Sequence, residues 1–173
     1  VFFGNIIATT WVKMNSPNQL LQGPNFGHSV SADGDLNGDG FVDLVIGNSG
    51  DLIDSSGYTS VEVRYGNEMG FEDEPDLAIQ SYTPGSLFGY NVEIINDLNG
   101  DGIDELFISE PYNTSNEFHS GNVWVFYGNL SGVEPTPNYR IVGYANELLG
   151  LNFASAGDTN QDGFNDFFMT RRP

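Results

Sequence analysis

Asp35-Leu36-Asn37-Gly38-Asp39-Gly40-Phe41-Val42-Asp43 occurs three times in this chain, with variations. The second copy is Asp97-Leu98-Asn99-Gly100-Asp101-Gly102-Ile103-Asp104-Glu105. The third is Asp158-Thr159-Asn160-Gln161-Asp162-Gly163-Phe164-Asn165-Asp166. Asp35 and Asp97 stand 62 residues apart, and Asp97 and Asp158 stand 61 apart. Two further markers keep that period. Phe26-Gly27, Phe88-Gly89 and Leu149-Gly150 lie upstream of the acidic stretches. Val61-Glu62-Val63-Arg64-Tyr65-Gly66 and Val123-Trp124-Val125-Phe126-Tyr127-Gly128 lie downstream, and Val1-Phe2-Phe3-Gly4 sits 62 residues before the first of these. Self-similarity at this spacing is the signature of a repeat architecture.

Each unit reads as four short strands. The first follows the Phe-Gly marker, over 27–32, 89–95 and 150–156. The second is the apolar run after the acidic stretch: Leu44-Val45-Ile46, Leu106-Phe107-Ile108 and Phe167-Phe168-Met169. Runs this short and continuous suit strands covered on both faces. The third is the alternating strand ending at Gly66 or Gly128. The fourth is more polar, around 76–82 and 139–144, with 5–12 as its first copy. Turn clusters such as Ser55-Ser56-Gly57, Thr83-Pro84-Gly85 and Thr114-Ser115-Asn116 separate them. No window keeps a helical period. The expectation is an all-β propeller of about three four-stranded blade units. The division expected is 1–25, end of a blade; 26–87, blade; 88–148, blade; 149–173, first half of a blade. Closed propellers use about 4–8 blades, so the units are expected to belong to a larger propeller or one completed by an oligomer.

Within the acidic stretches, oxygen side chains fall at positions 1, 3, 5 and 9. They are Asp35, Asn37, Asp39 and Asp43; Asp97, Asn99, Asp101 and Glu105; Asp158, Asn160, Asp162 and Asp166. The glycine at position 6 permits a sharp turn. The backbone carbonyl at position 7 (Phe41, Ile103 or Phe164) adds an oxygen, its apolar side chain being expected to point into the core. Hard oxygen donors in this number favour calcium over zinc or copper, one ion per loop. The helix-loop-helix calcium site begins in the same way but needs a Glu at position 12. Position 12 here is Ile46, Ile108 or Met169, so each loop feeds a strand. Glu105 for Asp makes the second site differ, with Asp104 as a neighbouring carboxylate.

The order F-G-x-x-V, D-x-N-x-D-G-x-x-D, apolar strand, G-x-V-x-V-x-Y-G resembles the FG-GAP repeat of the integrin alpha-subunit β-propeller. Phe26-Gly27-His28-Ser29-Val30 and Phe88-Gly89-Tyr90-Asn91-Val92 carry its first signature. Its second is loose, with Gly47-Asn48-Ser49 and Ser109-Glu110-Pro111 where G-A-P is expected. Leu149-Gly150, Phe153 and Glu105 are further departures. The resemblance implies propeller blades with calcium in the loop between their first two strands.

Composition limits the function classes. The chain has 173 residues, 39% of them hydrophobic, enough for a core. Gly (22) and Pro (8) are abundant and Cys is absent, which excludes disulfides, cysteine-zinc sites and thiol catalysis. Five basic residues oppose 24 acidic ones, for a net charge of −19, so nucleic acid and anionic membrane surfaces are poor partners. No apolar run approaches the roughly 18 residues of a spanning helix. The first residues lack the features of a signal peptide, and the chain is expected to be a mature or excised piece. Gly27-His28-Ser29-Val30-Ser31 lacks the last glycine of a hydrolase nucleophile elbow, and its repeat equivalents put Ser29 in a structural slot. His28 and His119 are the only histidines and read as ordinary surface residues. Tyr65, Trp124, Phe126 and Tyr127 read as packing. Asn113-Thr114-Ser115 and Asn129-Leu130-Ser131 fit the glycosylation triplet. The leading expectation is a non-catalytic, calcium-binding, extracellular adhesion or structural module. Its partner would be a protein or glycan at the cell surface, further blades or a second copy. A lectin-like propeller and a non-catalytic domain of a secreted hydrolase remain open.

Overall fold

The structure, a computed structural model, describes residues 26–50, 59–81 and 83–173. The expected end of a blade over 1–25, with its strand over 5–12, lies outside the described residues. Within them the chain forms ten strands and no helix. They are β1 (Phe26–Gly34), β2 (Asp43–Asn48), β3 (Thr59–Arg64), β4 (Leu77–Ser81), β5 (Val92–Ile95), β6 (Glu105–Glu110), β7 (Asn122–Tyr127), β8 (Tyr139–Val142), β9 (Phe153–Gly157) and β10 (Asp166–Met169). They make antiparallel sheets in sequence order: β1-β2-β3-β4, β5-β6-β7-β8 and β9-β10.

Register repeats with the sequence. Val30 pairs with Ile46, Val92 with Ile108 and Phe153 with Met169. Val45 pairs with Val63 and, one unit on, Phe107 with Val125. A one-residue slip would turn each apolar set to the wrong face, so the buried face of each sheet holds the register.

The central sheet shows why its apolar run is continuous. Every residue of β6 is buried. Leu106 and Ile108 join a core with Leu36, Val45, Val61, Val63 and Phe126 between the first and second sheets. Phe107, between them in sequence, faces the other way into a core with Ile95, Val125 and Phe153. Its ring lies 4.9 Å from Phe167 and 6.0 Å from Phe153, centroid to centroid. One strand thus serves two blade interfaces, each fully buried Phe or Leu contributing about 1.5–3 kcal/mol. β2 has the same kind of sequence but alternates, with Asp43, Val45 and Gly47 buried and Leu44, Ile46 and Asn48 half-buried.

Polar contacts align the innermost strands at the same repeat positions. Ser29 Oγ donates to Asn91 Oδ1 (3.2 Å) and accepts from the Val92 amide (3.0 Å). Asn91 Nδ2 in turn donates to the Phe153 carbonyl (3.3 Å). Ser29 is therefore tied into backbone pairing between blades, in keeping with the structural slot. Tyr65 reaches across too: its hydroxyl oxygen accepts from the buried Val133 amide at 2.9 Å.

Candidate metal centres

The loops joining β1 to β2, β5 to β6 and β9 to β10 carry the acidic stretches. All three are folded by one hydrogen-bond scheme. The position-5 amide donates to the position-3 side-chain oxygen: Asp39 to Asn37 (3.1 Å), Asp101 to Asn99 (2.9 Å), Asp162 to Asn160 (2.9 Å). The position-7 amide donates to the position-5 carboxylate: Phe41 to Asp39 (2.9 Å), Ile103 to Asp101 (2.9 Å), Phe164 to Asp162 (3.0 Å). The position-1 carboxylate gathers amides from within its own loop, Asp35 from Gly38 and Gly40, Asp97 from Gly100, Asp158 from Asp162 and Gly163. Position 6 sits at φ of 88°, 88° and 95° in Gly40, Gly102 and Gly163, where a side chain would be strained.

Position 9 is the first residue of each second strand. Asp43 is fully buried, accepting from the Leu36 amide (2.7 Å) and the Gly66 amide (2.9 Å). Glu105, also fully buried, accepts from the Leu98 amide (2.6 Å) and Asn99 Nδ2 (3.0 Å). Asp166 accepts from the Thr159 amide (3.0 Å) and hydroxyl. Burial, with repulsion from Asp35 and Asp39, pushes the Asp43 carboxyl up to about 6 against two amide hydrogen bonds. Burial, with Asp101, Asp97 and Asp104 nearby, pushes Glu105 up to about 7. Thr159 hydrogen bonds hold the Asp166 carboxyl below its ordinary value.

Among the described residues no group of three or more His, Cys, Asp or Glu side chains is already gathered as a metal-holding cluster. Positions 1, 3 and 5 share one hydrogen-bonded turn, and position 9 is tied to it through the position-2 amide. The donor chemistry fits a hard cation: carboxylates, one amide oxygen and a backbone carbonyl, with no nitrogen or sulfur donor.

One expectation needs correction. The position-7 side chains do not point into the core, since Phe41 is 40% and Phe164 46% exposed. The turn at position 6 swings them outward, and two lie on the loop of the preceding blade. A Cβ on Gly100 would meet Phe164 Cε1 at 2.7 Å, and one on Gly38 would meet Ile103 at 3.2 Å.

Two residues carry more than their sequence context suggested. Asp104 is a staple between loops, its Oδ2 accepting from the Asp35 amide (2.7 Å) and its Oδ1 from the Asp97 amide (3.0 Å). Its own amide donates to the Asp35 carbonyl at 3.1 Å. Gly34 makes room for it, because a Cβ there would meet Asp104 Oδ2 at 2.5 Å. Positions equivalent to Asp104 hold Val42 and Asn165, so only the departure from the repeat hinted at this role. Glu110, the middle residue of Ser109-Glu110-Pro111, is buried (1% exposed) in a polar network of its own. Both histidines lie against aromatic rings, His28 tilted against Tyr90 (4.6 Å) and His119 stacked on Phe118 (3.9 Å).

Antiparallel four-stranded sheets, packed face to face and repeated at 62 residues, define a stretch of β-propeller blades. The FG-GAP repeat profile matches residues 26–61 and 88–126, so the chain carries FG-GAP repeats. It is 27% identical over 151 residues to integrin alpha-PS5 of Drosophila melanogaster, covering 83% of this chain and 14% of that protein. It is 26% identical over 150 residues to integrin alpha-7 of Homo sapiens, covering 87% and 12%. It is 29% identical over 159 residues to phosphatidylinositol-glycan-specific phospholipase D of Rattus norvegicus, covering 82% and 18%. The chain thus spans less than a fifth of the length of each of these relatives.

Proposed function

We propose that the chain is a calcium-binding, non-catalytic propeller region of an extracellular adhesion-type protein. The observation that carries this is the single hydrogen-bond scheme shared by three loops of the same oxygen pattern. Calcium would be held in the first loop by Asp35, Asn37, Asp39, Asp43 and the Phe41 carbonyl. The second would use Asp97, Asn99, Asp101, Glu105 and the Ile103 carbonyl, and the third Asp158, Asn160, Asp162, Asp166 and the Phe164 carbonyl. The ion supplies the positive charge that crowded carboxylates lack. Among the described residues the buried Asp43 and Glu105 have no basic side chain bonded to them, only amide donors. Its role is to tie each loop to its second strand, which sets the blade edges for a protein ligand or for further blades. The integrin alpha relatives support the adhesion reading and the cell-surface location.

The test is thermal unfolding in EDTA and in about 10 mM calcium, given that extracellular sites often bind at about 0.1–1 mM. At 100 times its dissociation constant one site adds about 2.7 kcal/mol. A clear rise in melting temperature is expected; identical curves would refute the metal reading. The phospholipase D relative favours a second reading, a non-catalytic propeller region within a larger secreted hydrolase. Glycosylphosphatidylinositol cleavage by this chain alone would contradict both.

A further inference from the structure

Glu110 ends β6 in an unusual setting. Its carboxylate is 1% exposed and is in neither of the ion pairs among the described residues, Arg64–Glu62 and Arg171–Glu147. Among the described residues every donor to it is neutral. Oε2 accepts from Asn113 Nδ2 (2.7 Å), Trp124 Nε1 (2.9 Å) and, at the limit, Asn122 Nδ2 (3.5 Å). Among the described residues Oε1 accepts from Ser81 Oγ alone, on the neighbouring sheet, at 2.9 Å. Beside it on the paired strand, the fully buried Asn122 has a side-chain carbonyl oxygen with no hydrogen-bond partner among the described residues. The carboxylate lines an open cleft of about 240 Å³ between the first and second blades. Ile79, Phe88, Trp124, Phe126, Pro135 and Pro137 form its apolar walls.

We infer that this cleft is a binding site for a primary ammonium group on an aliphatic stem, the chemistry of a lysine side chain presented by a protein partner. A buried carboxylate without a cation is costly, and pairing with one offsets that cost. The cleft is smaller than the roughly 300–1,000 Å³ of sites for whole small ligands, which suits a single side chain. Aromatic and proline walls suit methylene groups, while the net charge of −19 draws cations toward the surface. The hydrogen bonds select ammonium over guanidinium. A guanidinium fork needs both carboxylate oxygens, and Oε2 is already filled by its donors, whereas Oε1 retains an acceptor site for one N–H. Arg140 lies over the Trp124 ring, Cζ at 5.4 Å from the centroid, but makes no ion pair with Glu110. This site is independent of the calcium loops.

The test follows the indole N–H of Trp124 by nitrogen-15 NMR in the calcium-saturated chain. n-Butylammonium chloride is the probe, with n-butylguanidinium and n-butanol for comparison. A saturable Trp124 shift is expected with butylammonium, weaker binding with butylguanidinium, and no saturable shift with butanol. Glu110→Gln should weaken butylammonium binding by at least about ten-fold, as loss of a charge-assisted bond implies. Ser81→Ala, which frees Oε1, should tighten it. An equal response to butanol, no saturable shift, or unchanged affinity in Glu110→Gln would overturn the inference. Should Glu110→Gln fail to fold, Ser81→Ala decides alone, and unchanged or weaker affinity there would overturn it.

Discussion

Replacing Asp104 with Ala should loosen two loops at once. The side chain accepts from the Asp35 amide at 2.7 Å and the Asp97 amide at 3.0 Å, the first residues of two successive acidic loops. Hydrogen bonds to a charged acceptor contribute about 1.5–3 kcal/mol each. Both amides belong to half-buried residues, so water recovers part of that in the variant. Asp104 also repels Glu105, as the last of three acidic neighbours raising its pKa, and its removal relieves a little of that strain. The net expectation is a loss of about 2 kcal/mol. Urea unfolding in EDTA, read as a shift in midpoint at constant slope, measures it. Calcium titration of the same variant then separates two roles. A staple weakens binding at the first and second loops together, because Asp35 and Asp97 both lose their anchor. A carboxylate serving the second loop alone weakens only that one. A stability change under about 0.5 kcal/mol, the range of an ordinary surface substitution, would refute the staple, as would an effect confined to the second loop.

Tyr65→Phe should cost about 1–3 kcal/mol, because the buried Val133 amide loses its acceptor; denaturant midpoints check it. Metal-free stability should fall as pH rises. Asp43 and Glu105 hold their protons up to about 6 and about 7 in the folded chain, against ordinary values of 3.8 and 4.5. Their contribution is complete below the ordinary values and is lost as pH passes through the raised ones. Melting temperature in EDTA should therefore drop between about pH 4 and pH 8, and calcium should oppose the drop; a rise in EDTA would contradict this. Asn113 should stay unglycosylated in a secreting eukaryotic host, because it is 3% exposed and bonded to Glu110; mass spectrometry of its peptide decides. Phe107→Ala should cost about 3–5 kcal/mol, since the ring fills the core between the second and third sheets.

The repeat spacing made the strands legible. A marker recurring every 61–62 residues must fold the same way each time, and the ladder Val30–Ile46, Val92–Ile108, Phe153–Met169 is that spacing in three dimensions. The loop residues were legible for the same reason, since their hydrogen bonds are local. What escaped depends on contacts between units. Asp104 bonds 69 residues away to Asp35, and no local pattern marks such a pair. Position 7 read as a core residue because it is apolar, yet the turn before it directs Phe164 onto Gly100 of the preceding loop. Glu110 looked like a lapse from G-A-P, although its burial depends on Asn113, Asn122 and Trp124 supplied by the following segment and strand.

Isothermal titration of calcium into EDTA-treated, dialysed chain tests the central claim most directly. Three loops of one oxygen pattern predict saturable heat with a stoichiometry near three. Loss of one equivalent is expected in each of Asp39→Ala, Asp101→Ala and Asp162→Ala. No saturable heat up to about 10 mM calcium, ten times the weak end of extracellular sites, or a stoichiometry untouched by all three substitutions, would contradict it.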